Sequence, residues 1–208
     1  MPITAQQFAE MQRRLSGKGR AARPDSEEAG ESPRGRGSMV REATVVLGID
    51  PSLRGTGYGV IRAGRPDPSL LAQGTIRCPA RWERSRCLAR IASELRDVVV
   101  AQSPEVCVVE GLFFAQNLQT ALIMGEARGA ALATVAMAAI PIFEMAPRRV
   151  KQAIVGYGAA QKEAVARMVQ RMLLLPEIPD PDAADALALA LVYVQGGGRS
   201  ALNPLKPV

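Results

Sequence analysis

The chain has 208 residues, a 48% hydrophobic fraction, only 4% aromatics and a formal net charge of +6 with pI near 9.7. That is enough apolar material for one sizeable core plus tails, built on aliphatic side chains, and a basic balance that suits a polyanionic partner without proving one. Histidine is absent, which excludes Ser-His-Asp and Cys-His nucleophile systems and any His-ligated zinc. Acid–base work then falls to carboxylates, lysine, tyrosine or cation-activated water. Cys78, Cys87 and Cys107 have no C-x-x-C spacing and read as reduced core thiols. No apolar run spans a bilayer uninterrupted and no signal core opens the chain, so an intracellular, cytoplasmic protein is expected.

In chain order, residues 1–43 stand apart. Ser16–Gly37 is rich in Gly, Arg, Ser, Pro and Glu and almost free of apolar side chains. Such a segment cannot bury enough surface to offset its ordering entropy, so 1–43 is expected to be a disordered extension without an essential function. The sequence admits a short amphipathic helix over 4–15, and Met39 offers an alternative start. Residues 1–41 hold 8 basic and 5 acidic residues and the remainder 18 and 15, so both parts are mildly basic.

Order begins at Thr44. TVVLGID (44–50) is a β-branched apolar run that ends in an acid, the pattern of a buried strand. PSLRGTG (51–57) predicts a turn, with Gly55 and Gly57 supplying permissive backbone angles. YGVIRAG (58–64) and SLLAQGTIR (69–77) predict two further strands. A helix is predicted over 83–101 from Cys87, Leu88, Ile91, Leu95 and Val98 at helical spacing. EVCVVEG (105–111) is a second buried strand ending in an acid. A long helix over 118–139 carries the small residues Gly125, Gly129, Ala130 and Ala133, which suit close packing in the core or against a second copy. PIFEM (141–145) completes the strands, helices follow near 147–154, 160–174 and 181–195, and 196–208 is expected to be a flexible tail. Three meandering strands followed by helix, strand, helix and strand predict an α/β protein, a mixed five-stranded sheet flanked by helices, in the order of the ribonuclease H-like fold.

The chemistry centres on four acids. Asp50 and Glu110 close two buried strands, and strand ends are where ligands gather in open α/β sheets. Asp182 and Asp185 lie three apart, hence on one face of the last helix. Helix capping is the simpler explanation for Asp182. It does not extend to Asp185, because the following ALALALVYV is wholly apolar and a buried carboxylate there needs a partner. Four converging carboxylates would repel one another unless hard dications neutralised them, and oxygen-only donors suit Mg²⁺ or Mn²⁺. A pair of such ions serves phosphodiester hydrolysis. From Arg148 to Arg171, six basic residues (Arg148, Arg149, Lys151, Lys162, Arg167, Arg171) face one acid, Glu163, which makes either a phosphate-binding surface or a solvated helix face. The tandem Phe113-Phe114 is either core or a stacking platform for an unpaired base.

GIDPSLRGTGYGVI (48–61), VVEGLFFAQN (108–117), GEARG (125–129), PRRVKQAIVGYGAAQK (147–162) and DAADALALAL (182–191) together resemble the successive signature segments of the bacterial RuvC resolvases over about residues 44–195. The resemblance implies a ribonuclease H-like nuclease domain over 44–195. It implies a Mg²⁺-dependent endonuclease with two ions per subunit, Mn²⁺ substituting. Acting as a homodimer, such an enzyme resolves Holliday junctions by paired symmetric nicks in recombination and repair, with the RuvA–RuvB branch-migration complex as partner. Residue by residue, it implies that Asp50, Glu110, Asp182 and Asp185 are the catalytic and metal-holding acids. Lys151 and Lys162 then contact phosphates near the scissile strand, with Arg148 and Arg149 beside them. Phe113 stacks on a base at the junction centre, with Phe114 adjacent. Gly111, Leu112 and Phe114 depart from the commoner wording, which touches sequence preference more than catalysis, and the 43-residue extension is unusual. A related nuclease for structured RNA, or a non-catalytic junction-binding protein, are the alternatives. An actin-like ATPase also opens on Gly-Ile-Asp but needs a second domain for which the chain is too short.

Overall fold

The sheet runs Ser69–Arg77, Gly55–Arg62, Val45–Asp50, Val106–Glu110, Ile142–Met145 and Lys206–Pro207, with the two acid-terminated strands side by side at its centre. The structure, a computed structural model, describes residues 44–64, 66–111, 117–196 and 206–208. The strands are β1 (Val45–Asp50), β2 (Gly55–Arg62), β3 (Ser69–Arg77), β4 (Val106–Glu110), β5 (Ile142–Met145) and β6 (Lys206–Pro207). The helices are α1 (Arg84–Gln102), α2 (Leu118–Met137), α3 (Pro147–Val155), α4 (Lys162–Met172) and α5 (Pro181–Gln195). β1, β2 and β3 pair antiparallel as a meander, β1–β4 and β4–β5 pair parallel, and β6 adds antiparallel to β5. The five predicted strands form the mixed sheet as expected. The two-residue β6 is a sixth, drawn from the 196–208 stretch that the sequence assigns to a flexible tail. Prolines and glycines say nothing of an edge pairing that depends on where β5 ends up. The expectations for residues 1–43 lie outside the described residues.

Side-chain alternation splits the central strands between two cores. Val46, Val106 and Val108 face α3, α4 and α5, where Val150, Ile154, Val165, Val169 and the apolar run of α5 meet them. Leu47, Ile49, Cys107 and Val109 face α1 and α2, against Cys87, Ile91, Leu95, Ala127, Ala131 and Val135. The two parallel central strands are buried on both faces, which is why they read as continuous apolar runs. All three cysteines are free and buried, and burial pushes the Cys107 thiol up to about 12, as expected of inert core thiols. Among the described residues, no helix is long and apolar enough to cross a membrane.

One face of β1–β2 is almost bare. A Cβ on Gly48 would stand 1.9 Å from the Ala186 carbonyl oxygen, one on Gly57 1.9 Å from the Asp182 carbonyl oxygen, and one on Gly59 2.5 Å from Leu187 Cδ2. Helix α5 therefore lies directly on strand backbone. This corrects the reading of Gly55 and Gly57 as turn glycines. β2 already begins at Gly55, neither residue has a left-handed φ, and what they provide is room for α5. The turn proper is shorter, 51–54. It is tied by the buried Thr56, whose hydroxyl donates to the Ser52 carbonyl oxygen at 2.6 Å, and by Arg54, which donates to the carbonyl oxygens of Pro79 at 2.7 Å and Trp82 at 3.0 Å.

Candidate metal and nucleic-acid site

Register decides where the first two acids meet. β1 and β4 are parallel with Ile49 opposite Val109, so one residue further Asp50 and Glu110 stand at neighbouring strand ends. Both share the face of Val46, Val106 and Val108, which is the face that α5 covers. On α5 the i, i+3 spacing turns Asp182 and Asp185 toward them. A cavity of about 110 Å³ results, lined by Asp50, Glu110 and Asp185 with Lys162, Lys151 and the apolar Pro147, Val150, Val165 and Leu189. Asp182 is more exposed than Asp185 and stands at the rim, outside that lining.

The charges are compressed. Burial pushes the Glu110 carboxyl up to about 8, helped by the charge of Asp50 and by the hydrogen bond that the protonated Glu110 donates to it. Burial likewise raises Asp50 above its ordinary value. The hydrogen bond from Glu110 and the charge of Lys162 oppose that rise, while Asp185 and Asp182 add to it. Burial alone would lower Lys162, but the carboxylates of Asp185, Asp50 and Asp182 outweigh it and raise the ammonium above its usual range. Its Nζ lies 3.0 Å from Asp185 Oδ2 and 3.6 Å from Asp182 Oδ1. Lys162 thus draws the helix acids to itself. Among the described residues no three acids close on one point as a ready-made metal cage. The donor set nonetheless fits hard dications: every donor is a carboxylate oxygen, and burial together with mutual repulsion raises both Asp50 and Glu110, a penalty that a bound dication would offset.

The cap of α5 is the neighbour of Asp182. Asp180 is the N-cap of α5 and accepts from the Asp182 N–H at 3.2 Å, with Pro181 opening the helix. Asp180 also accepts from Thr75 Oγ1 at 2.8 Å and pairs with Arg77, which moors the start of α5 to β3. Sequence reasoning missed Asp180, although Asp-Pro before an apolar helical run is a start signal. It also missed Arg128 and Glu144. Arg128 donates to the backbone carbonyl oxygen of Glu110 and, at 2.5 Å, to Glu144 Oε2. An arginine set among Ala127, Gly129 and Ala130 was the available signal.

The basic candidates divide. Lys151 and Lys162 line the cavity. Arg148, Arg167 and Arg171 are exposed on α3 and α4, and Arg149 is half-buried. Arg148 passes over Gly158, where a Cβ would meet its Cγ at 2.5 Å. Phe113 and Phe114 lie outside the described residues. On α2, the outward residues Leu118, Leu122, Gly125, Gly129 and Ala133 are exposed, and a Cβ at either glycine would meet open space.

Comparison with known proteins gives one answer. The family model described as "Crossover junction endodeoxyribonuclease RuvC" matches residues 46–193. A protein of that name from Chlorobium chlorochromatii (strain CaD3) is 45% identical over 154 residues, 74% of this chain and 80% of its own length. One from Thermomicrobium roseum is 44% identical over 151 residues, 72% of this chain and 92% of its own. Among solved structures, the Thermus thermophilus RuvC in complex with Holliday junction substrate superposes with a TM-score of 0.71 at 34% identity, covering 79% of this chain and 99% of that one.

Proposed function

Since the chain belongs to the RuvC family, it is a crossover junction endodeoxyribonuclease with a ribonuclease H-like fold, and we propose that it cuts four-way DNA junctions at the pocket lined by Asp50, Glu110 and Asp185, with Asp182 beside it. The observation that carries this reading is the meeting of two strand-end carboxylates with two helix carboxylates around Lys162. The four acids hold divalent cations, two Mg²⁺ per subunit with Mn²⁺ as a substitute. When bound, the cations supply charge stabilisation at the phosphoryl group and a more acidic attacking water.

The protein residues do the rest. Glu110 gives up the proton that it shares with Asp50 in the cation-free pocket, so cation binding and proton release are linked. Lys162 passes from partner of Asp185 to partner of the DNA phosphate once the acids are neutralised, and Lys151 flanks the same cavity. Val150, Val165 and Leu189 wall the pocket and limit water, which strengthens each charge interaction inside. Arg148, Arg149, Arg167 and Arg171 extend a positive surface for the junction arms. Phe113, and Phe114 beside it, stack on an unpaired base at the crossover.

Paired nicks in strands of like polarity require two sites related by a two-fold axis, hence a homodimer. The exposed stripe of Leu118, Leu122, Gly125, Gly129 and Ala133 on α2 supports a second copy packing there. The nuclease domain is 44–195, and the flanking segments are accessory. RuvA–RuvB is the expected partner complex. The test is cleavage of a mobile four-way junction with Mg²⁺, Mn²⁺ and Ca²⁺ compared, alongside Asp50→Asn. Asp50→Asn should bind the junction and not nick it. Full nicking by a clean preparation of that variant would remove the pocket from the mechanism.

A further inference from the structure

Among the described residues Arg128 is the only charged side chain in the buried class, at 8% exposed. A guanidinium withdrawn from water needs compensation, and this one has two acceptors on two different strands. One is Glu144 on β5, at 2.5 Å. The other is the backbone carbonyl of Glu110, the last residue of β4. Glu144 shares its sheet face with Ile142, which packs against α1 and α2, whereas the Glu110 side chain lies on the α5 face. Arg128 thus grips the peptide of a pocket acid from the side of the sheet opposite to its carboxylate. The neighbouring Gly111 N–H donates to the Met145 carbonyl oxygen at 2.9 Å. Between them these two bonds hold the carbonyl and the N–H of a single peptide unit, Glu110–Gly111, at the end of β4.

We propose that Arg128, itself held by Glu144, is a positioning residue that sets the direction of the Glu110 carboxylate for cation binding. The inference rests on the metal-site reading above. A strand end without these anchors would let the carboxylate wander, while a cation site tolerates misplacement of only about 0.5 Å. Arginine is suited to the task because its planar fork reaches two acceptors at once. Lysine keeps the charge but loses the fork.

The test measures Mn²⁺ binding to the full-length protein by titration calorimetry, below the melting temperature of each variant, for wild type, Arg128→Lys, Glu144→Gln and Asp50→Asn. Junction binding in EDTA and the Mg²⁺ concentration for half-maximal nicking are followed in parallel. Loss of an orienting partner costs about 10–100-fold in metal affinity, so Arg128→Lys should lose that factor and need correspondingly more Mg²⁺. Its junction binding in EDTA should remain at the wild-type level. Glu144→Gln leaves Arg128 on the carbonyl and should fall in the same direction, toward about 10-fold. If Arg128→Lys does not fold, Glu144→Gln carries the comparison. Folded variants that melt earlier yet bind Mn²⁺ as tightly as wild type would overturn the proposal and leave a purely stabilising ion pair. A wild type that binds no Mn²⁺, or an Asp50→Asn that binds it unchanged, would instead overturn the metal-site reading and this proposal with it.

Discussion

Replacing Gly57 by alanine should disable the nuclease without touching an acid. The added Cβ would lie 1.9 Å from the Asp182 carbonyl oxygen, and ordinary contact begins at 3.4 Å, so the two backbones must part by about 1.5 Å. β2 cannot retreat, because Gly57 is paired on one side with Asp50 and on the other with Thr75. The movement therefore falls on the start of α5, whose first turn carries Asp182 and whose second begins with Asp185. Overpacking of this kind costs about 1–3 kcal/mol of stability. A misplacement near 1 Å at a catalytic group costs on the order of 100-fold in rate. Single-turnover nicking of a four-way junction in Mg²⁺ should fall by about that factor, while junction binding in EDTA holds and Tm drops by several degrees. Wild-type nicking with an unchanged Tm would refute the claim that α5 is seated by backbone-on-backbone contact.

Glu110 keeps its proton to about pH 8 in the folded, cation-free chain but loses it near 4.5 when unfolded. Over that window the folded state binds the extra proton, so stability falls as pH rises, by at most about 1.4 kcal/mol per pH unit. Melting in EDTA across this range should show the decline in wild type and a flatter profile in Glu110→Gln; two identical, flat profiles would contradict the assignment. Asp180→Ala removes the cap of α5 and should lower stability by about 0.5–2 kcal/mol in denaturant titration, with a loss of nicking as Asp182 and Asp185 loosen. Leu122→Glu lies on the exposed stripe of α2, so it should leave the monomer's Tm unchanged and abolish dimers in sedimentation. A persistent dimer would move the interface elsewhere.

The strands were legible because burial on both faces leaves uninterrupted aliphatic runs, and TVVLGID and EVCVVEG are such runs closed by an acid. The helices were legible from spacings such as Cys87, Ile91 and Leu95. Asp50, Glu110 and Asp185 stood out because each ends or adjoins an apolar segment where burial would otherwise penalise it, and Asp182 was drawn in by its spacing from Asp185. Contacts between distant segments were not legible. Nothing local to Asp180 announces Thr75 and Arg77 as its partners, more than 100 residues away. Nothing in GEARG says that its arginine reaches the end of β4. The glycines of β1 and β2 were noticed and given the wrong task, because a turn and a close helix approach leave the same residue type in sequence. The edge strand at Lys206–Pro207 depends on a neighbour rather than on its own propensity.

The pocket is drawn from both extremes of the domain: Asp50 closes its first strand, and Lys162, Asp182 and Asp185 arrive with its final two helices. A nascent chain still leaving the ribosome holds half of an anionic cluster and no lysine to balance it. Domains acquire their native contacts as units, so on the proposed site cutting ability should emerge only once the closing helix has docked. On the proposed site, incomplete synthesis or truncation before residue 185 is expected to yield an inert fragment rather than an unregulated nuclease.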